Sequence, residues 1–479
     1  MNDARSLFDG LWKFYQQNLS NEGVNHLDFA ELVTYLLFLK LDHERGERGL
    51  NPERVIRRGI GWASLVGKSG TELEQQFRHI LRECGKNTAD PDRGIMRAIF
   101  DKAKLPVRNA AQLHALIQDQ IAPHTWSGLR EVLPGMYALL LDKAGDNFQK
   151  KSGQILTPTV FVSAVVEALR PTSSDLVLDP ACGTGSLLVG AYSAMASEGV
   201  KIPSMSVIGV DMDERMCRLA TMNLLLHTWG TFLGPAPVTV MDALAAPSTV
   251  SPTIVVCNPP FRSETPSPEG RQDFLTVTRS IQLNFVQHIA RALPIGGRAA
   301  VFVPDNVLFG SGGEPAVRQW LFDHCDVHTL LRLPEGVFKG ANTKTNVLFF
   351  DRVRPRSDGG VATERLWVYD FRRGMEFSPT QNRLRQSDFG TFLDCYGPDK
   401  PREERVATQR FRAFTYAELH ARNLHLDIWP DTDTTEDQWL SPKLIAQEIA
   451  DELRVAASEF AALAAALPDD TPYEGSEEP

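Results

Sequence analysis

Leu176-Val177-Leu178-Asp179-Pro180-Ala181-Cys182-Gly183-Thr184-Gly185-Ser186 is the stretch that decides the fold. A short apolar run ends on an acid, and a turn with two glycines leads into a helical stretch. The same order of events recurs downstream. Val207-Ile208-Gly209-Val210 leads into Asp211, Val238-Thr239-Val240 into Met241-Asp242, and Ile254-Val255-Val256-Cys257 into Asn258. Arg298 to Val303 and Asn346 to Phe350 read as two later strands. Short β-branched runs alternating with longer helical stretches predict an α/β domain with a parallel sheet covered on both faces. Ligands of such sheets sit outside the carboxyl ends of the strands. Four successive strands that each end on a polar residue therefore predict a site along that edge.

The flanking regions differ from this pattern. Residues 1 to about 145 read as helical. Leu7, Phe8, Leu11, Trp12, Phe14 and Tyr15 recur at helical spacing, and Leu27 to Leu41 is apolar enough to be buried on most sides. Ala111 to Ile117 and Leu129 to Lys143 are further helical candidates, and no catalytic constellation stands here. Residues 262–273, RSETPSPEGRQD, read as a mobile loop beside the fourth strand end. Residues 351–440 show no clear pattern. Ser441-Pro442 starts a helix, with Ser as N-cap and Pro at the first helical position. Its seam of Ile445, Ile449, Leu453, Ala456, Phe460, Leu463 and Leu467 has coiled-coil steps. It packs on its own protein or docks a partner subunit, and both readings stand. The acidic tail DDTPYEGSEEP is expected to be disordered. The expected division is a helical domain over 1–145, the α/β domain over 146–400, and a C-terminal region over 401–479 carrying the helix 441–467.

Composition narrows the function classes. The 479 residues are enough for about two to four domains. Hydrophobic residues make up 43% and charged residues 23%, as in an ordinary globular protein. No run approaches the roughly 20 apolar residues of a membrane span, and MNDARSLFDG is no signal peptide. The six cysteines lack paired spacing, so neither a disulfide framework nor a zinc site is expected, and a reducing cytoplasm is. No metal site is expected at all. The formal charge of -10 argues against a chain that grips nucleic acid over its whole surface, though not against a local basic groove.

The strand ends carry the chemistry. Gly183 and Gly185 let backbone approach a ligand closely, and the N–H groups of the next helix start face it. The motif is not G-x-G-x-x-G and it opens with an acid. Asp179 would repel a pyrophosphate but suits an ammonium group, such as that of S-adenosylmethionine. Asp211 can accept from both ribose hydroxyls. Asp242 can accept from an adenine amine, although an Asp in that position is often only a cap. Asn258-Pro259-Pro260-Phe261 is the most informative quartet. An amide oxygen and a neighbouring carbonyl both accept from an –NH2 group, two prolines hold the turn rigid, and Phe261 offers an aromatic face. Such a turn orients an amino nitrogen toward an electrophile.

Together these residues resemble the modification (M) subunits of type I restriction–modification systems, which are N6-adenine DNA methyltransferases. LVTYLLFLKLDHERG, GQILTPTVF, DPACGTGSLL, NPPF, Leu333-Pro334-Glu335-Gly336-Val337-Phe338 with Thr345 to Phe350, and VYDFRRG near 370 occur in the family's order across nearly the whole chain. The resemblance implies a Rossmann-like S-adenosylmethionine-dependent methyltransferase domain, with an N-terminal helical domain and a C-terminal helical tail. By position it implies cofactor contacts from Ile155, Leu156, Thr157, Pro158, Thr159 and Val160, and from Gly183, Thr184, Gly185 and Asp211; Asp179, Ala181 and Asp242 complete the expected cofactor site. It places catalysis at Asn258, Pro259, Pro260 and Phe261. Leu156 departs from the aromatic residue of many relatives. The implied partners are double-stranded DNA, a specificity (S) subunit with two M subunits per S, and a restriction (R) subunit, with no membrane.

The mechanism expected from this resemblance flips the target adenine out of the duplex and stacks it on Phe261. The Asn258 side-chain oxygen and the Pro259 carbonyl then accept from N6. Methylation of a protein glutamine or of RNA, and a cofactor-binding scaffold of a defence complex, are the rival readings. The chain contains no Walker A pattern, no acidic–lysine nuclease cluster and no second target-reading region. Cleavage and sequence reading are therefore expected from other subunits. An acidic chain fits that division of labour.

Overall fold

The computed structural model describes residues 2–47, 55–57, 59–86, 90–152, 157–197, 199–200, 202–203, 205–230, 233–261, 271–276, 278, 280–310, 313–334, 344–372 and 384–426. The expected docking helix, the acidic tail, Ile155, Leu156 and most of the 262–273 loop lie outside these residues.

Among the described residues, nine strands form one sheet in the order β3-β2-β1-β4-β5-β7-β6-β8-β9. They are β1 (Val177–Asp179), β2 (Val207–Asp211), β3 (Val238–Val240), β4 (Ile254–Cys257), β5 (Arg298–Pro304), β6 (Cys325–Arg332), β7 (Thr345–Arg352), β8 (Arg365–Asp370) and β9 (Phe411–Thr415). The first five are mutually parallel where they pair. β4 is buried along its whole length, which is why its sequence is a continuous apolar run with no alternation. β7 inserts antiparallel between β5 and β6, β8 runs parallel to β6, and β9 closes the edge antiparallel. The carboxyl ends of β4, β5, β6 and β8 and the start of β7 therefore share one edge. The strand order reverses between β1 and β4, the position where open α/β sheets leave a ligand crevice.

β6, β8 and β9 were not among the expected strands. β6 carries Asp326 and His328, which break its apolar pattern, and His328 is nonetheless 3% exposed. Arg402 makes the burial tolerable by pairing with both Asp326 and Asp351. Arg405 adds a bond to the Thr329 hydroxyl at 3.0 Å. This knot ties residues 402–405 to the sheet, and β9 follows. The sheet thus runs beyond the boundary expected at 400.

The helical region comprises α1 (Asn2–Asn18), α2 (His26–Glu47), α3 (Gly70–Cys84), α4 (Gly94–Phe100), α5 (Ala110–Ala115) and α6 (Leu133–Ser152). α2 is the helix expected to be buried all round, with Leu32 to Leu39 all at or below 1% exposure. The Thr34 and Tyr137 hydroxyls meet at 2.7 Å between α2 and α6. α6 runs on past the boundary expected at 145. In the α/β part, α7 (Thr159–Leu169), α8 (Ser186–Ser197) and α9 (Glu214–Thr228) cover one side of the sheet, with α10 (Ile281–Ala292) preceding β5. α9 belongs to two cores. Met216, Leu219, Met222, Leu225 and Leu226 pack with the helical region, while Cys217, Ala220 and Leu224 pack with the sheet. Glu31 of α2 pairs with both Arg215 and Arg218 of α9. The Arg218 Nε also donates to the Ile99 carbonyl at 2.7 Å. Buried charge of this kind holds only when fully paired, so α9 fixes the helical region to the α/β part. Among the described residues no helix is long and apolar enough to cross a membrane.

Two buried histidines give the fold an acid limit. Burial pushes both His328 and His288 down to about 4, so each is neutral in the folded chain. In the unfolded chain each takes a proton near 6.5. Their contribution to stability is complete above about 6.5 and is lost as pH falls from there toward about 4. Denaturation titrations across that window should show stability falling with acid. His328→Gln should reduce the slope by about one proton, roughly 1.4 kcal/mol per pH unit. An unchanged slope would remove His328 from this account.

Candidate active site at the strand carboxyl edge

The turn after β1 is built for close approach. Gly183 and Gly185 have φ of +53° and +79°, a region that side chains rarely adopt. A Cβ on Gly183 would meet nothing within 4 Å, so that face of the turn is open. A Cβ on Gly185 would lie 3.2 Å from that of Ala220, so this glycine lets α9 approach the turn. Asn223 of α9 anchors the turn from behind, its Nδ2 donating to the Thr184 carbonyl at 3.0 Å.

Asp179 ends β1 at 1% exposure. Its Oδ1 accepts from the Ala181 N–H at 3.0 Å. Burial pushes its carboxyl up to about 8, opposed by the Ala181 bond, while the nearby Asp211 charge raises it further. Asp211 ends β2 and turns both oxygens toward backbone N–H groups, Gly183 at 2.9 Å and Asp213 at 2.9 Å. It orders the glycine turn first, and any ribose contact must use its remaining lone pairs. Asp242 is exposed, and its Oδ1 accepts from the Leu244 N–H at 2.9 Å, as a turn cap does.

Asn258 follows β4. Its Nδ2 donates to the Thr157 hydroxyl at 2.9 Å, although 101 residues separate the two. Pro259 is buried, and Pro260 and Phe261 are half-buried. The Pro260 carbonyl accepts from Gln282 Nε2 at 2.7 Å, and Gln282 itself is 4% exposed. The turn is thus fixed by α10 as well as by its prolines. Pro158 is the N-cap of α7, Thr159 is exposed and Val160 is half-buried.

One cleft at the switch point is lined by Thr157, Asp179, Ala181, Cys182, Gly183, Thr184, Ser186, Leu187 and Asn258. It joins the segment before α7, the glycine turn and the catalytic-type turn. Asp242 and Pro158 are not among its lining residues. Cys182, Ser186, Leu187, Asn223 and Gln282 went unnoticed as site residues. Nothing local marks Asn223 or Gln282, since both lie inside helices and act on distant turns. Burial pushes the Cys182 and Cys257 thiols well above their ordinary value, so both stay neutral beside Asp179. A buried carboxyl under an open glycine turn suits a ligand carrying an ammonium group, as S-adenosylmethionine does.

The chain matches the N-6 DNA Methylase family model over residues 129–438. It is 30% identical to the type I restriction enzyme EcoKI methylase subunit of Escherichia coli K12, over 95% of this chain and 93% of that protein. It is likewise 30% identical to the StySJI methylase subunit of Salmonella typhimurium LT2, over 95% and 93%. Among solved structures, it resembles a chain from a study of complex assembly in the type I R-M system, with a TM-score of 0.75 at 24% identity over 98% and 99% of the two chains. The EcoKI M protein structure matches with a TM-score of 0.51 at 27% identity, over 97% of both chains.

Proposed function

The chain belongs to the N-6 DNA methylase family as a type I restriction-enzyme methylase subunit, and from that premise we propose that Asn258 to Phe261 direct methyl transfer from S-adenosylmethionine to N6 of a flipped-out adenine in DNA. The observation that carries this reading is the single cleft in which Thr157, Asp179, the glycine turn and Asn258 meet. Bound S-adenosylmethionine supplies a methyl group on a sulfonium, which an amine can attack directly.

The residues divide the work. Asp179 as carboxylate holds the cofactor's ammonium, and the open face of Gly183 admits its backbone-sized neighbour. Asp211 keeps the turn in shape. Extrusion of the adenine costs a few kcal/mol, and stacking on Phe261 offsets part of it. The Asn258 side-chain oxygen and the Pro259 carbonyl accept from the N6 hydrogens, which aims the nitrogen lone pair at the methyl carbon. With the cofactor bound, its sulfonium would give up the methyl group to the aligned nitrogen and leave as a neutral thioether, and the surplus N6 proton would pass to solvent after transfer. Thr157 prevents Asn258 from rotating out of line. Alignment with water excluded supplies most of the rate.

Sequence reading falls to a specificity subunit, with two copies of this chain per specificity subunit, and cleavage to a restriction subunit. The test is co-expression of the full chain with its specificity subunit in a host lacking adenine methylation. N6-methyladenine should appear at a discrete set of genomic sites, and labelled methyl groups should enter DNA but neither protein nor RNA. Methyl transfer into protein or RNA instead, or none into DNA, would overturn the proposal.

A further inference from the structure

The Val368–Gly374 stretch stood out in the sequence, but the cleft at the switch point makes no use of it. Its Arg372 gathers the edge on which Asn258 stands. The guanidinium Nε donates to the Leu333 carbonyl at 2.9 Å. Nη1 and Nη2 hold the Asp305 carboxylate by two bonds, at 3.1 and 3.0 Å. Nη2 also reaches the Thr345 carbonyl and the Asn346 Oδ1, each at 3.2 Å. Asn346 in turn donates to Asp305 Oδ1 at 2.7 Å. The Arg372 N–H donates to Asp370 Oδ1 at 2.8 Å. The Arg372 side chain is 9% exposed, and Asn346 and Asp370 are fully buried.

The strand order says what this arrangement borders. Leu333 follows β6, Asp305 follows β5, Thr345 and Asn346 open β7, and Asp370 ends β8. One residue therefore ties four strand termini on the carboxyl edge beside β4, those of β5, β6 and β7 through its guanidinium and that of β8 through its backbone N–H. The other half of that edge, the ends of β1 and β2, forms the glycine turn and its acids. A nucleotide whose amine meets Asn258 from the side opposite the cofactor must lie over the β5–β7–β6 half.

We propose that Arg372 is a positioning residue that sets the strand ends bordering the target nucleotide. This deepens the reading of Asn258 as the residue that orients the amine and rests on it. Arg372 acts through Asp305, Leu333 and Asn346 and touches no reacting atom. Its planar fork makes several directed bonds at once, which a lysine of equal charge cannot reproduce. A displacement of about 1 Å at such a border is enough to lower a rate by about 10²-fold.

The test uses the full chain in complex with its specificity subunit, unmethylated genomic DNA and labelled S-adenosylmethionine. Arg372→Lys should lower the single-turnover rate at saturating DNA by about 10²-fold, with cofactor Kd within about threefold of the parent. Cooling should not restore the rate. The inference is overturned by a rate within about threefold of the parent, by a loss confined to cofactor Kd, or by a loss that cooling reverses, which would mark mere destabilisation. If Arg372→Lys yields no folded complex, Asp305→Asn removes the charged partner with little change of shape and is judged by the same outcomes. Asn258→Ala runs alongside. Its inactivity together with a fast Arg372→Lys sinks this inference alone, whereas an active Asn258→Ala sinks the reading beneath it.

Discussion

Asn258→Ala lowers methyl transfer by about 10³-fold or more and leaves S-adenosylmethionine binding within a few-fold of the parent. The asymmetry follows from where Asn258 stands. It is at the end of β4, on the far side of the switch point from the glycine turn, and its Nδ2 donates to the Thr157 hydroxyl at 2.9 Å. Removing the amide takes away an acceptor for N6 and the element that orients its lone pair. The buried carboxyl of Asp179 and the open turn at Gly183 stay as they were. Thr157→Val gives a graded version. It keeps the amide but removes the hydroxyl that fixes its rotation, so the rate falls by about tenfold, in line with the loss of roughly one hydrogen bond. Rapid-quench measurement of labelled transfer in the complex, beside calorimetric titration of the cofactor, separates the two effects. Transfer surviving Asn258→Ala would remove the residue from the mechanism.

The parts of this site that the sequence displayed share a physical cause. Parallel strands buried on both faces must be continuous apolar runs, and each run here stops at the residue that leaves the sheet. Asp179, Asp211 and Asn258 were therefore visible as interruptions. β6 was hidden because its polar residues are made tolerable by partners far away in the chain. Arg402 lies more than seventy residues from Asp326 and makes its burial possible. The insertion of β7 between β5 and β6 leaves no trace in periodicity, since either direction of pairing buries Asn346 to Phe350 equally well. The supports behind the site were hidden for the same reason. Asn223 reads as one more polar residue of a mixed helix until its bond to Thr184 is seen. α9 serves two cores at once, which its sequence alone does not announce. Asp242 follows a strand as the pattern asks, and its exposed carboxylate bonds its own turn.

Asp179→Asn weakens S-adenosylmethionine binding by about 10²-fold or more, the cost of removing one member of a buried charge pair, while stabilising the free protein at pH 8 and above. Both effects have one origin. Asp179 is buried, and its carboxyl is raised from an ordinary 3.8 to about 8. A raised carboxyl contributes stability that is fully present below the unfolded value and is lost as pH rises toward the folded one. By pH 8 the free protein carries the cost of a buried, partly ionised group, and an amide of the same shape avoids it. The thermal midpoint of Asp179→Asn should therefore exceed the parent's by a few degrees at pH 8.5, with the gap narrowing as pH falls and closing at about pH 4. The cofactor reverses the balance. At pH 7 the free protein holds Asp179 mostly protonated, and an ammonium group placed beside it favours the carboxylate, so binding releases a proton. Calorimetry at pH 7 in two buffers of different ionisation enthalpy should show that release in the parent and not in Asp179→Asn. Proton uptake in the parent, or an unchanged Kd in the variant, would mean that Asp179 does not hold the ammonium. A group that weakens the empty fold and strengthens the loaded one is what a binding residue requires, because the energy withheld from folding is returned only when the right cation arrives.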